Sequence, residues 1–341
     1  MSSSISSFFK RSGSGRASGR RSNRPSSSEA PSVPSSLNCF KRSSRDEEKE
    51  EEGASQDDSQ SGLETISDND VTEMSRSICK KQYNFIRALG RGASGVVFEA
   101  QNRISGKKVA IKEINMVKGQ DVDKILREVQ LVANLEDHPN VISIYHAWIE
   151  SSSSPLTTSL YFTMELCQEG TLRSWLDENV QREPQEIMSF FKQLVRGICH
   201  IHKAGLIHRD IKPANIMMSK RGSDVCLKLG DFGIVAKDDA KPHTLNIGTP
   251  FYMSPEAEDD CLYTNKVDIF ALGMILIELH FDLTDKSDRR EVLSEAKNGV
   301  IKPFLHAELA KQMLKHQYDQ RPEASQILEC LESLEDQKTG N

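Results

Sequence analysis

No cysteine pairing pattern is present in this sequence. Its seven cysteines, Cys39, Cys79, Cys167, Cys199, Cys226, Cys261 and Cys330, are dispersed, with no CxxC and no metal-ligand spacing. That excludes a disulfide scaffold and a structural zinc module, and the odd, scattered set reads as the reduced thiols of an intracellular protein. Long apolar runs are missing too. The richest stretch, Ile269 to Ile277, is flanked by Asp268 and Glu278 and falls well short of the roughly 20 residues that a membrane span requires. No apolar core of a secretory signal is visible, because Phe8 and Phe9 sit among serines. A net basic charge is also lacking. At -6 overall, the chain does not match a general nucleic-acid binder, which needs a basic face. The expectation is a soluble protein of the cytoplasm, with the nucleus as alternative, that contacts neither membrane nor nucleic acid directly.

What is present is distributed unevenly. Residues 1–45 carry many Lys and Arg with one carboxylate, Glu29, and residues 46–58 then turn acidic. This Ser-, Arg- and Gly-rich stretch buries too little apolar surface to offset its chain entropy, so residues 1–78 are expected to form a disordered tail. Its apolar residues are too few for the helix face of a transit peptide.

From Tyr83 the texture changes. Apolar runs at 85–89, 96–100 and 108–112 read as strands separated by glycine turns. Val122, Ile125, Leu126, Val129, Val132 and Ala133 recur at helical spacing, which predicts an amphipathic helix over 121–135. Strands are expected at 141–149 and 160–165, and helices at 184–203, 266–280, 288–298 and 305–315. A strand-rich first part and a helix-rich second part predict a two-lobed α+β fold.

The chemistry-bearing residues lie along this frame. Gly90-Arg91-Gly92-Ala93-Ser94-Gly95-Val96-Val97 is a G-x-G-x-x-G-x-V loop between strands. Its glycines, Gly90, Gly92 and Gly95, let backbone N–H groups approach phosphate oxygens with no Cβ in the way. Alone the pattern is weak. Lys112 ends the apolar run Val109-Ala110-Ile111, where a charge is costly unless paired. Glu128 on the following helix is its expected partner, leaving the lysine to hold the α- and β-phosphates. The decisive stretch is His208-Arg209-Asp210-Ile211-Lys212-Pro213-Ala214-Asn215. Here Asp210 can take a substrate hydroxyl's proton, Lys212 can neutralise a transferring phosphoryl group, and Asn215 can bind magnesium. Asp231, in Asp231-Phe232-Gly233, offers a second magnesium ligand. Glu256 is expected to pair with Arg321, and Asp268 to open a buried central helix.

In this order and spacing, residues 83 to about 333 resemble the eukaryotic protein kinases of serine/threonine type. The resemblance implies a small lobe over 83–164, a hinge over 165–170 and a large lobe over 171–333, with 334–341 a polar end. It also implies ATP and Mg2+ as cofactors. By resemblance, Met164 lines the back of the ATP pocket, Glu165 and Cys167 contact adenine through their backbone, and Leu89, Val97 and Ala110 sandwich the ring.

Further segments are similar to the kinases of the translation initiation factor 2 α subunit. They include His146-Ala147-Trp148-Ile149-Glu150, Met164-Glu165-Leu166-Cys167, Gly248-Thr249-Pro250-Phe251-Tyr252 and Val267-Asp268-Ile269-Phe270-Ala271-Leu272-Gly273. That subfamily implies the factor as protein substrate, docked on the helix near Arg289 to Asn298, and a homodimer through the small lobe. It also implies a regulatory set: a phosphorylated Thr244, five residues before Thr249, pairing with Arg209.

Ser94 stands where an aromatic is usual, and residues 151–160 are short where the subfamily often carries an insert. A cell-cycle regulatory kinase is the alternative, although such kinases typically lack the intact His208-Arg209-Asp210 triplet. A pseudokinase scaffold would lack at least one of Lys112, Asp210, Asn215 or Asp231, and all four are present.

Overall fold

The computed structural model describes residues 78–92, 95–116, 129–151, 158–222, 224–231, 251–258 and 264–339. The tail, the first part of the 121–135 helix with Glu128, and Thr244 and Thr249 lie outside these residues.

A short helix, α1 (Ile78–Gln82), leads into a sheet of β1 (Tyr83–Gly92), β2 (Gly95–Asn102), β3 (Lys108–Met116), β4 (Ile144–Ser151) and β5 (Thr158–Met164). The strand order is β1-β2-β3-β5-β4, and each neighbouring pair is antiparallel. The inner strands β3 and β5 are covered on both faces, so they read as apolar runs rather than strict alternation, whereas β1 beyond Tyr83 is exposed. On one face Ile114, Met116, Leu160 and Phe162 pack with Val129, in a helical stretch at 129–133. On the other, Cys79 of α1 joins Tyr83, Ala100, Val109 and Ile111. Tyr83, Trp148 and Tyr161 stack across that face, with ring centroids 6.2 and 5.5 Å apart.

The second lobe is mostly helical: α2 (Leu172–Glu178), α3 (Pro184–Lys203), α4 (Pro255–Glu258), α5 (Lys266–His280), α6 (Lys286–Lys297), α7 (Ala307–Met313) and α8 (Ala324–Thr339). One hairpin, β6 (Ile216–Arg221) with β7 (Asp224–Leu229), is set among them. Helix α3 starts on Pro184, whose φ is preset for a first turn, and ends on His200, His202 and Lys203, whose charge or polarity suits a C-terminus. Its buried face includes Ile187, Phe190, Phe191, Leu194, Ile198 and Ile201, three or four residues apart. Helix α5 is apolar all round and is buried from Lys266 to Leu279. It is the centre of the large-lobe core.

Several boundaries differ from the sequence reading by a few residues. The strand expected from 141 begins at Ile144. Residues 140–142 bond β7 instead, Ile142 N–H to Leu229 O and Leu229 N–H to Asn140 O at 2.9 Å each. Helix α8 continues past residue 333 to Thr339, with Leu334 buried. The hairpin strand β6 follows the Asn215 turn directly, where its mixture of Met, Ser and basic residues carries little periodicity.

Candidate active site

The loop between α3 and β6 is shaped by a carboxylate from α5. Asp268, 1% exposed, accepts the backbone N–H of His208 at Oδ2 and of Arg209 at Oδ1, each at 2.9 Å. His202 approaches the same Oδ2 at 2.9 Å. Arg209 takes a φ of 70°, a region that side-chain-bearing residues seldom adopt and that this pair of bonds holds. His208 is buried with its Nε2 3.0 Å from Gly230 O. A carbonyl can only accept, so Nε2 carries the proton and Nδ1 receives the Asp210 N–H over a long 3.4 Å. Burial holds this imidazole below its usual pKa, against the opposing pull of Asp268 and Asp210.

Asp210 follows in a half-open position. Lys212 Nζ lies 2.9 and 2.8 Å from its two carboxylate oxygens. Asn215 Nδ2 donates to the Asp210 carbonyl and to its Oδ2, both at 2.8 Å. Pro213–Asn215 form one 3-10 turn, so Asn215 returns to the loop it follows. Gly230 N–H then bonds Asn215 O at 3.0 Å, which places Asp231, with φ 55°, next to this cluster. From the other lobe Lys112 donates to Asp231 Oδ1. The structure therefore brings Lys112, Asp210, Lys212, Asn215 and Asp231 to one place, although Lys112 and Asp231 are 119 residues apart in sequence.

The cleft above this cluster is walled by the sheet. Directly paired residues of antiparallel strands point to one face. The pairs Val97↔Lys112, Ala110↔Met164 and Lys112↔Phe162 thus put Val97, Ala110, Lys112 and Met164 on a common face. Leu89 sits at a bulge in β1, between Ala88 and Gly90. Past Met164 the chain crosses to the large lobe. Glu165 N–H bonds Ser143 O at 3.0 Å, and its side chain pairs with Lys228 at 2.9 Å. Burial, with Glu165 adding to it, pushes the Cys167 thiol up to about 12, so this cysteine is a poor nucleophile.

The glycines divide by role. A Cβ on Gly95 would fall 2.0 Å from Glu113 O, and its φ is 128°, so the backbone of β3 requires that glycine. A Cβ on Gly90 would meet nothing within 4 Å. Its open side is available to a ligand, as a phosphate cradle needs. Gly92 closes the hairpin opposite Gly95.

The donor chemistry fits magnesium. Asn215 and Asp231 supply hard oxygen atoms, and Mg2+ is usually held by one or two side chains plus phosphates and water. Among the described residues, no group of three or more His, Cys, Asp and Glu could hold a metal unaided.

The protein kinase domain family matches residues 83–337. The chain belongs to the protein kinases. Two rodent relatives are interferon-induced, double-stranded RNA-activated protein kinases. The rat protein is 36% identical over 274 residues, 74% of this chain and 52% of its own length. The mouse protein is 34% identical over 264 residues, 72% of this chain and 50% of its own length. Human serine/threonine-protein kinase Nek5 is 36% identical over 204 residues, 58% of this chain and 28% of that one. The chain thus spans about half the length of the rodent relatives. Residues 83–337 thus form a protein kinase domain with the two-lobed α+β fold.

The kinase also holds charged groups that motif reading sees only in part. Glu256 and Arg321 form the expected pair, Oε1 and Oε2 to Nη1 and Nη2 at 2.6 and 2.8 Å. Burial acts to raise the Glu256 carboxyl, and the Arg321 guanidinium overrides it, so the group ends below its usual pKa. Asn140, Glu278 and Arg289 were not singled out by their chemistry. Their partners lie far along the chain, and no local signal could have found them. No helix of the described residues is long and apolar enough to cross a membrane.

Proposed function

We propose that this kinase phosphorylates serine or threonine on the α subunit of translation initiation factor 2, using the residues gathered around Asp210. The carrying observation is the convergence of Lys212 and Asn215 on the Asp210 carboxylate, with Lys112 and Asp231 alongside. Two hydrogen-bonding neighbours orient that carboxylate toward an incoming hydroxyl, where it takes the proton as the oxygen attacks. Lys212 supplies positive charge beside the reacting oxygens, and Lys112 reaches the phosphates from the sheet. Asn215 and Asp231 would hold magnesium, which would neutralise charge on the phosphates. Bound magnesium–ATP supplies the γ-phosphoryl group and leaves as ADP. Val97, Ala110, Leu89 and Met164 give the adenine an apolar slot, with Glu165 and Cys167 contributing backbone groups.

The substrate reading is supported by the segments at 146–150, 164–167, 248–252 and 267–273 that resemble the initiation-factor kinases, and by rodent relatives matched over most of the chain. With it come a cytoplasmic location, a homodimer through the small lobe, and a switch in which phosphorylated Thr244, near Thr249, pairs with the exposed Arg209. The matches to Nek5 and to the Aspergillus niger cytokinesis protein sepH favour the alternative, a kinase of another group.

The test is transfer of labelled phosphate from Mg-ATP to the purified α subunit, with a generic basic protein for comparison and Asp210→Asn as control. Asp210-dependent labelling of the factor on serine or threonine supports the proposal. Labelling of the generic protein alone keeps the kinase and discards the substrate.

A further inference from the structure

Helix α5 ends on an imidazole pair that no motif of the sequence marks. His280 closes the helix, and His306, buried, stands immediately before α7. His280 Nε2 lies 3.1 Å from His306 Nδ1. Its Nδ1 lies 2.8 Å from Leu276 O, one turn back in α5. The Phe304 ring packs beside the pair, its centroid 4.5 Å from His280 and 5.6 Å from Phe281. The loop that runs from Asn298 at the end of α6 to His306 is fastened to α5 through these rings. Val300 and Leu305 of the same loop are exposed.

A carbonyl only accepts, so Leu276 O fixes a proton on His280 Nδ1 and leaves Nε2 of the neutral ring as an acceptor. His306 Nδ1 then donates. One added proton is tolerated, because the shared position still holds one hydrogen and one lone pair whichever ring takes it. A second is not. Both facing nitrogens then carry hydrogens, and two positive rings meet nitrogen to nitrogen. The surroundings add to that cost. Burial holds the His280 ring below its usual pKa, Leu276 O pulls the other way, and the Arg182 guanidinium adds to the lowering. Arg182 reaches the end of α5 from the connection between α2 and α3, donating to Glu278 O and Phe281 O at 2.9 Å each. The carboxylates of the packed elements are engaged elsewhere: Glu278 with Arg173, Asp282 with Thr284, and Glu308 with Gln312. Lys302, in the loop itself, faces Glu295.

We infer that the His280–His306 contact is a proton-operated latch: it ties the 298–306 loop to the end of α5 while the pair holds no more than one extra proton, and releases the loop when both rings are charged. Release bares Ile301 and Phe304, which pack against the large-lobe core, beside the already exposed Val300 and Leu305. The sign follows from the ring environment. His280 titrates below the ordinary 6.5 in the fold, so closure contributes fully above that pH and is lost as pH falls through the lowered value.

Amide hydrogen exchange of the full chain, corrected for the intrinsic pH dependence of the exchange chemistry, is followed as pH is lowered in wild type, His306→Gln and His280→Leu. The reporting amides are Ala307, bonded to Phe304 O, and Ala310, bonded to His306 O, at 3.1 Å each. Opening that takes up one proton gains about tenfold per pH unit below the ordinary histidine pKa. Protection at the two amides should therefore fall about tenfold from about pH 6.5 to about 5.5, while the buried face of α3 holds steady as internal reference. His306→Gln, whose amide donates or accepts and does not titrate, should keep the loop protected throughout. His280→Leu, which has no polar tip, should leave it open at every pH. Wild-type protection that does not change, or that falls by the same factor in His306→Gln, overturns the latch. A loss shared equally by α3 overturns it too, since that marks global unfolding. If His280→Leu does not fold, wild type against His306→Gln decides.

Discussion

Asp268 holds Arg209 in its left-handed conformation from a helix 59 residues further along the chain, Oδ1 to backbone N–H at 2.9 Å. The same carboxylate holds His208, so one buried side chain sets the backbone path that delivers Asp210. Asp268→Ala would leave these two amides without an acceptor, at about 1–3 kcal/mol each. A loop displaced by about 1 Å loses on the order of a hundredfold in rate. The expected outcome is a less stable kinase whose kcat falls far more than its ATP affinity, checked by urea unfolding and steady-state kinetics on one preparation.

His208 gives the loop a pH dependence. Its pKa in the fold is depressed below the ordinary 6.5 by burial. In acid the unfolded chain binds this proton and the fold resists it, so stability rises with pH. The contribution is intact above about 6.5, the ordinary histidine value, and declines as pH falls below it. A protonated ring would also aim an N–H at the Asp210 N–H. Unfolding midpoints between pH 7.5 and 5.5 should drop for wild type and flatten for His208→Gln, which does not titrate. Parallel slopes would count against this assignment.

The glycine loop offers a contrast between two neighbours. Gly95→Ala drives a methyl into Glu113 O at positive φ, so the fold must shift, and a loss of about 1–3 kcal/mol is expected. Gly90→Ala meets no protein atom. It should fold normally and raise KM for ATP several-fold, an effect on the order of 1 kcal/mol. Thermal unfolding and ATP titration of both variants separate the two roles.

Arg321 is almost fully buried, 2% exposed, with its guanidinium on Glu256 and stacked 4.9 Å over the Phe270 ring. Arg321→Ala strands a buried carboxylate and should cost about 3–5 kcal/mol. Because the Glu256 pKa is lowered in the fold, the pair stabilises above the ordinary carboxylate pKa and is lost as pH falls through the lowered one. The destabilisation measured for Arg321→Ala should therefore shrink in acid.

Legibility followed the range of each interaction. Helices α3 and α5 lie where the apolar spacing put them, because Pro184 starts one and an unbroken apolar run makes the other. The 141–149 strand failed at its start, since Val141 and Ile142 are drawn to Leu229 of β7, a partner far from them in the chain. The glycine motif was legible as a pattern, but not the reason for Gly95, which is the nearness of β3. Lys112 was expected against Glu128, outside the described residues, and its described partner is Asp231.

Order and spacing along the chain were enough for the kinase fold and for picking out residues that the fold gathers around Asp210, because periodicity and motifs are written in near neighbours. Tertiary structure alone decided that Asp268 shapes the loop leading to Asp210 and that Glu278 joins α2, α5, α6 and Tyr252. A buried charge is stable only beside its opposite, and which opposite stands there depends on which helices pack together. Arg173 and Glu278, 105 residues apart, are neighbours only in the folded chain.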